Sequence, residues 1–282
     1  FVESLADALG FTNDQPLLIL SADLAGSTHA ATAATLTAMR DGSATTATLM
    51  MPGPWSRHAV DQFNHSAHAN DDVGLHLTLN AELDCFRWGP LTHAPSLLDG
   101  DGGFPRTIGD LWDHADPEEV RRECRAQLER AQLWGLDITH LATHMSAMQQ
   151  RPEFFDVLLD IACESDLPVR LEGLGAESAA GFPFRRLAAE EGIFMPDQFH
   201  LVRGGSRSAL NTYLAAPSAE VTESAFEPAL AAEELRAIDP TATGRIDDLD
   251  VLTDRGLPDR LARAGVTTIG YAVIRELQQS RS

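Results

Sequence analysis

The stretch LLILSADLAGSTHAAT, residues 17–32, sets the pattern from which the rest of the chain can be interpreted. Residues 17–22 form an apolar run that is typical of a buried strand, and Asp23 follows where that strand is expected to end. Gly26 and a small polar cluster come next, and residues 29–40 have the Ala- and Leu-rich composition of a helix. The stretch therefore predicts a strand, a loop and a helix. Asp23 is either a functional carboxylate or the N-cap of that helix.

Comparable units recur along the chain. Further strands are predicted at residues 44–50, 72–79, 138–142, 169–171, 212–215 and 267–271, and helices at residues 56–69, 116–135 and 152–165. This alternation favours βαβ units and a mostly parallel sheet. We therefore predict an α/β fold, an irregular, TIM-barrel-like (β/α) barrel of about seven mostly parallel strands, with residues 1–282 as a single domain.

The amino-acid composition limits the classes of partner that the protein is expected to bind. The chain has 42 Asp and Glu against 21 basic residues, all of them Arg, and a formal net charge of -21. Such an excess of negative charge argues against nucleic acid or an anionic membrane as a partner. No apolar run is long enough to span a bilayer, and no secretory pattern opens the sequence, so a cytoplasmic location is expected. The three cysteines show no zinc-site spacing and are predicted to be buried free thiols.

Three polar residues stand at or near predicted strand ends. They are Asp23, His76 in DVGLHLTLN, and His144 in THLATHMSAM. Functional groups of parallel barrels lie at the carboxyl ends of the strands, and one Asp with two His is a set of ligands for a divalent metal. Each residue alone has an ordinary structural explanation. Their convergence on one face favours a metal site, whereas His140, in the middle of its strand, is expected to be a hydrogen-bonded core residue.

The ordered motifs together resemble the YdjC-like (ChbG/HpnK) carbohydrate deacetylases over nearly the whole chain. They include LLILSADLAGS, DVGLHLTLNAEL, THLATHMSAM and RIDDLDVLTD. The resemblance implies an irregular (β/α) barrel and a divalent metal ion, zinc or magnesium. It also implies hydrolysis of an N-acetyl group on an amino sugar or oligosaccharide, and family habit suggests a homodimer.

Carried over position by position, the resemblance is incomplete. Two adjacent Asp open the family pattern, one the general base and the other a metal ligand, whereas here Asp23 is followed by Leu24. A shift of one residue would instead match Asp23 to the second Asp. The metal histidines of the family match His76 and His144. Ala142 stands where the family has Asp, and Ala216, before Pro217, where it has the His of a His-Pro pair.

Two functional hypotheses follow. The first is a metal-dependent carbohydrate N-deacetylase with Asp23 as base or ligand and His76 and His144 as ligands. The second is a diverged family member whose metal site is weak or lost. Such a protein would catalyse another reaction on a small polar ligand, or would only bind it. If Asp23 is the ligand, Asp99, Asp101 and His29 are alternative bases.

Substrate contacts are predicted in the long loop of residues 80–106 and beside the first strand. Arg87 and Trp88 offer a forked donor beside an aromatic face, which suits a sugar ring. His29 is the third candidate. A Trp packed beneath the loop with Arg on the surface explains the first two residues equally well.

Overall fold

The computed structural model describes residues 4–12, 14–65, 71–201 and 203–281. Its strands are β1 (Leu17–Ala25), β2 (Thr46–Leu49), β3 (Val73–Leu77), β4 (Ile138–Thr143), β5 (Gln198–Leu201), β6 (Val221–Phe226) and β7 (Thr267–Thr268). The helices are α1 (Leu5–Ala8), α2 (His29–Arg40), α3 (Ser56–Asn64), α4 (Ile108–His114), α5 (Pro117–Leu133), α6 (Pro152–Ser165), α7 (Leu174–Ala180), α8 (Phe184–Glu190), α9 (Ser206–Ala215), α10 (Glu233–Ile238), α11 (Ala242–Leu252), α12 (Leu257–Arg263) and α13 (Ala272–Arg281).

The strands form one curled sheet in the order β4-β3-β2-β1-β6-β5, and β7 pairs with the start of β1. Every pairing in it is parallel, and helices flank the sheet. The α/β fold is therefore confirmed as a half-barrel. Within the described part of the chain no strand closes the gap between β4 and β5, and beside β4 there is only an isolated bridge between Leu141 and Val169.

Two predicted strands differ from the structure. Residues 169–171 contribute that single bridge, and residues 212–215 lie in α9. The prediction for residues 212–215 was wrong because Leu210, Tyr213 and Leu214 repeat at helical spacing and pack on one apolar cluster. The strand in this region is β6. Its polar residues Thr222, Glu223 and Ser224 interrupt the apolar pattern by which a buried strand is recognised. The predicted helix over residues 56–69 ends at Asn64, and residues 66–70 lie outside the described residues.

Local signals explain several elements. Asp116 accepts hydrogen bonds from the backbone N–H groups of Glu118 and Glu119, and Pro117 starts α5, as predicted for its cap. All nine residues of β1 are buried, which fits the central strand of a sheet covered on both faces. Cys124 is buried, but Cys85 and Cys163 are exposed, so the prediction of three buried thiols was wrong for two of them. None of the described helices is long and apolar enough to cross a membrane.

Candidate functional site

A cavity of about 310 Å³ opens at the carboxyl ends of the strands. It is lined by Asp23, His76, Ile108, Thr143, His144, Met145, Ser146, Arg170, Glu172, Phe199, Leu201, Arg203 and Glu227. The structure thus brings Asp23, His76 and His144 together, although they are far apart in the sequence. The parallel sheet explains this, because β1, β3 and β4 all end at this edge.

Asp23 is a buried carboxylate, and both of its oxygens accept hydrogen bonds. Its Oδ2 accepts from Arg170 Nη1 at 2.6 Å, and its Oδ1 accepts from Arg170 Nη2 at 3.0 Å. The hydroxyls of Ser21 and Thr48 also donate to Oδ1, at 2.8 and 3.0 Å. Burial acts to raise the pKa of Asp23, but the Arg170 guanidinium, with help from these donors, holds it well below its usual range. Asp23 is not the helix cap, since Thr28 caps α2 by accepting from the N–H of Ala31.

Thr48 on β2 links Asp23 to His76. Its Oγ1 lies 2.9 Å from His76 Nδ1 and donates its only hydrogen to the ionised Asp23, which can only accept. His76 Nδ1 must therefore carry a proton and donate it to Thr48. This assigns the tautomer of His76 and leaves the lone pair on Nε2. Burial lowers the pKa of His76 to about 3, so the ring stays neutral at physiological pH.

His144 belongs to a second pair. Its Nε2 lies 2.8 Å from Glu82 Oε2, and its ring centroid is 5.4 Å from that of His76. Burial acts to raise the pKa of Glu82, but its interaction with His144 lowers it to about 2. Glu82 is therefore ionised, and the shared proton lies on His144 Nε2. The neighbouring Met145 and Ser146 both have positive φ, so the chain turns sharply directly after His144.

Arg170 is the centre of the buried charge network. It is 4% exposed, and besides Asp23 it pairs with Glu223 on β6, with Nε 2.8 Å from Glu223 Oε1. The hydroxyl of Tyr271 donates to the other oxygen of Glu223. Burial raises the pKa of both Glu223 and Tyr271. This buried cation therefore holds two carboxylates, one on each of two neighbouring strands.

Leu24 occupies an unusual backbone position. Its φ is 71°, in the left-handed region, and the pairing of β1 with β2 shifts register between Ala22 and Ala25. That conformation costs a residue with a Cβ roughly 1–2 kcal/mol and is best tolerated by Gly, Asn and Asp. The Leu24 side chain is buried in the large apolar cluster. It offers no donor or acceptor to the cavity.

The predicted metal set does not fit these contacts. Asp23 Oδ1 accepts three hydrogen bonds and Oδ2 accepts one, so an ion could approach only the remaining lone pair of Oδ2, beside the Arg170 guanidinium. His76 Nε2 is suited to a metal, but His144 Nε2 is directed at Glu82. Across residues 4–12, 14–65, 71–201 and 203–281, no group of three or more His, Cys, Asp or Glu side chains is arranged to hold a metal ion.

The predicted substrate residues lie outside the cavity lining. Arg87 donates to the backbone carbonyls of Ala81 and Phe104 and pairs with Asp99, which stabilises the long loop from within. Trp88 is buried, donates its indole N–H to the carbonyl of Asn80, and packs edge-on near His144.

His29 is exposed at the start of α2, with its ring 4.9 Å from that of Trp55. Of the alternative bases, Asp99 is held by Arg87 and Arg106, and Asp101 pairs with Arg106 at the surface. None of these three side chains lines the cavity.

Two further positions from the family comparison now have a place. Ala142 is buried on β4 opposite His76. Ala216 lies at the exposed end of α9, so it is not a position in the site. The residue before a proline that does reach the cavity is Glu227, directly after β6, where it pairs with Arg203.

The sequence interpretation missed Arg170, Glu223, Thr48 and Glu82. Arg170 ends the apolar run LPVR, which was a usable signal, because a charge at the end of such a run needs a buried partner. His140 is a core residue, as predicted. It is buried, hydrogen-bonded to Thr139 and stacked on Tyr271. Its ring lies where a side chain at Gly74 would be, since a Cβ there would come within 2.3 Å of it.

Comparisons with known proteins agree with the resemblance seen in the sequence. A family model described as YdjC-like protein matches residues 17–263. A protein named carbohydrate deacetylase from Vibrio vulnificus (strain YJ016) is 29% identical over 258 residues, which is 90% of this chain and 95% of that protein. One of the same name from Geobacillus stearothermophilus is 30% identical over 255 residues, 90% of this chain and 96% of that protein.

A crystal structure from Enterococcus faecalis V583 supports the fold. It superposes with a TM-score of 0.78 at 22% sequence identity and covers 92% of this chain and 99% of that one. At this level of identity the likeness concerns the fold alone. The half-barrel described here is therefore shared with an experimentally solved protein.

Proposed function

Because this chain belongs to the YdjC-like protein family, we propose that it is a carbohydrate deacetylase that hydrolyses an N-acetyl group on an amino sugar or oligosaccharide. The observation that carries the proposal is the convergence of His76 and His144 on one cavity at the carboxyl edge of the sheet. The names of the Vibrio and Geobacillus relatives support the substrate class.

The cavity dimensions suit a small sugar. Its volume of about 310 Å³ is at the lower end of the range of ligand pockets. A second cavity of about 430 Å³ adjoins it and shares Met145, Arg203 and Glu227 as lining residues. A single N-acetylated unit would fill the first cavity, and a second unit of an oligosaccharide would extend into the other.

His76 is the residue we assign as general base. Its Nε2 lone pair is available because Thr48 holds the proton on Nδ1. A water positioned by Nε2 would attack the acetyl carbonyl carbon and give its proton to His76. The depressed pKa makes His76 a weak base, so a slow reaction is expected.

Asp23 acts in this scheme as a positioning residue. With its oxygens engaged by Arg170, Ser21 and Thr48, it orients His76 through Thr48 and accepts no proton itself. Arg170 in turn fixes the carboxylate. This positioning role differs from the two roles, general base and metal ligand, that the sequence suggests for Asp23.

His144 is the residue we assign to the leaving group. Its Nε2 proton is shared with the Glu82 carboxylate, which lines the adjoining cavity. When the tetrahedral intermediate collapses, the C–N bond breaks and the amine nitrogen takes a proton from the imidazolium form of His144, which Glu82 stabilises and which is left as a neutral imidazole. The products are acetate and the free amino sugar, and the proton that His76 took from water restores the pair through solvent.

Acetate release tests the proposal directly. Purified protein is incubated with N-acetylglucosamine and its oligomers, and free acetate is measured for the wild type, His76→Ala and His144→Ala. His93→Ala is the matched control, because His93 is exposed and outside the cavity. The proposal predicts release by the wild type and the control and at least about 100-fold less by the two cavity variants. No release by the wild type would contradict it.

A diverged member that binds a sugar without hydrolysing it is the second candidate. Two features favour this candidate. Asp23 is already bound to Arg170, and Leu24 is apolar where the family pattern has a carboxylate. Isothermal titration calorimetry with the same oligomers separates the two candidates. Binding without acetate release supports the second, and binding with release supports the first.

A further inference from the structure

We propose that the cavity works without a divalent metal ion, and that Arg170 supplies the fixed positive charge that a metal would otherwise bring. This inference deepens the proposed function and rests on it for the role of the cavity. Its test is a measurement of metal binding, which does not require that the protein be active.

Asp23 already accepts several hydrogen bonds from buried side chains. Four donor groups point at its two oxygens: both terminal nitrogens of Arg170 and the hydroxyls of Ser21 and Thr48. A metal ion could reach Asp23 without displacing a donor only at the second lone pair of Oδ2, where it would lie beside the Arg170 guanidinium. At Oδ1 it would have to displace one of the donors. Since all four donors are buried, a displaced donor would lose its partner away from water, which is unfavourable.

Arg170 is fixed in place beside Asp23. Its guanidinium is held from two sides, by Asp23 on β1 and by Glu223 on β6, and its face lies 5.1 Å from the ring of Phe199. It cannot swing away without leaving both carboxylates buried and unpaired. An ion bound to Asp23 would therefore lie beside a permanent cation and be repelled by it.

The neighbouring side chains offer few free ligand atoms to a metal ion. Leu24, the residue after Asp23, contributes only an apolar side chain to the core. The hydrogen bond between His144 and Glu82 takes a nitrogen and a carboxylate oxygen out of the set of free ligands. His76 Nε2 keeps its lone pair, whereas protein zinc sites use three or four ligands, and the described residues contain no group of three or more His, Cys, Asp or Glu side chains that could hold a metal ion.

Two arginines already place positive charge beside the carboxylates of the cavity. Arg170 neutralises one of its two carboxylate partners, and Arg203 pairs with Glu227 at the entrance shared by the two cavities. A neutral, hydroxyl-rich ligand such as an N-acetyl sugar would therefore enter a cavity in which Asp23 and Glu227 already pair with arginines. Its hydrogen-bonding partners are side chains of this chain.

Equilibrium dialysis against zinc, and separately against magnesium, followed by elemental analysis, tests the inference on the full chain. The comparison is between wild type and His76→Ala, because exposed groups such as Cys85 and Cys163 bind zinc in both proteins and cancel. We expect the same metal content in the two. One equivalent in the wild type that is missing from His76→Ala would overturn the inference.

A second variant covers the case in which His76→Ala does not fold. His144→Gln keeps a polar side chain of similar size, and its metal content is compared with that of the wild type in the same way. Equal content supports the inference, and loss of one equivalent contradicts it. Circular dichroism establishes which variants are folded before dialysis.

Activity measurements then separate this inference from the proposed function. If the wild type releases acetate and EDTA changes the rate by less than about twofold, both stand. If it neither binds metal nor releases acetate, the proposed function fails and the metal-free cavity stands. If a cavity-bound metal is found, the inference fails whether or not acetate is released.

Discussion

Arg170 donates two hydrogen bonds to Asp23, from Nη1 to Oδ2 at 2.6 Å and from Nη2 to Oδ1 at 3.0 Å, and both side chains are at most 4% exposed. Two-point contact of this kind fixes the plane of the carboxylate as well as its position. It also means that neither charge can be removed alone without leaving the other buried and unpaired.

Arg170→Met is expected to lower the free energy of unfolding by roughly 3–5 kcal/mol, because it leaves Asp23 and Glu223 as uncompensated buried carboxylates. Urea denaturation at pH 7 measures the change. Arg57→Met is the control, since Arg57 pairs with Asp61 on the surface, where the side chains are 59% and 43% exposed. Its effect is expected to stay within about 0.5 kcal/mol. Equal effects of the two substitutions would contradict a structural role for the buried pair.

Thr48→Val is expected to change the tautomer of His76 while keeping the shape of the side chain. Without the Thr48 oxygen, Nδ1 has no acceptor, and the proton is free to move to Nε2. Nitrogen chemical shifts of the His76 ring report the tautomer, and acetate release should fall by roughly 10–100-fold.

Thr35→Val is the matched control for Thr48→Val. Thr35 is a fully buried threonine whose hydroxyl has no hydrogen-bond partner in the described part of the structure. Its replacement should leave both the His76 tautomer and the activity unchanged. If Thr48→Val also leaves the tautomer unchanged, the link from Asp23 to His76 does not operate.

The stability of the protein should fall as the pH is lowered from about 6.5 toward 3, because burial lowers the pKa of His76 to about 3. In that window the unfolded chain binds a proton at His76 that the folded protein does not. The free energy of unfolding then decreases by up to about 1.4 kcal/mol per pH unit for this residue. Buried His140, whose pKa is also lowered, acts in the same direction.

Urea denaturation of the wild type and His76→Gln at pH 7, 6 and 5 isolates this effect, because Asp23 is ionised in both states over most of that range. The substitution should make the pH dependence shallower. An unchanged slope would show that His76 takes up protons equally in the folded and unfolded protein.

Asp23→Asn should abolish the activity of the protein. The amide has a single acceptor oxygen, so its NH2 group must face one of the donors that now point at Asp23. Arg170 also loses one of its two carboxylate partners, and the Thr48 hydroxyl becomes free to donate to His76. Acetate release measures the outcome, and full activity in this variant would show that Asp23 has no role in the reaction.

How far the sequence predicted the molecule depended on how apolar each strand is. The buried run of β1 and the ordered motifs identified the fold and placed Asp23, His76 and His144 correctly at the carboxyl edge. β6 was missed because three of its residues are polar and yet buried, and Glu223 is stabilised there by Arg170 and Tyr271. A strand whose burial depends on an ion pair has no hydrophobic pattern to detect.

The roles within the site were harder to predict than its members. Asp23 could be located from one strand, but its partner Arg170 follows it by 147 positions, and nothing local links the two. The same holds for Glu82 and His144, which are 62 positions apart. Those distant contacts show which oxygens and nitrogens are already hydrogen-bonded, and our proposal that Asp23 positions His76 rests on them.

The left-handed backbone at Leu24 and the side chains around it favour different residues. With φ at 71°, this position already has the conformation that Asp and Asn adopt at little cost, although it now holds a leucine. Exchanging only that side chain for Asp would relieve local strain, but it would place a carboxylate in the apolar cluster that now surrounds Leu24. The backbone at this position thus fits an acidic residue, whereas the surrounding side chains fit the leucine that is present.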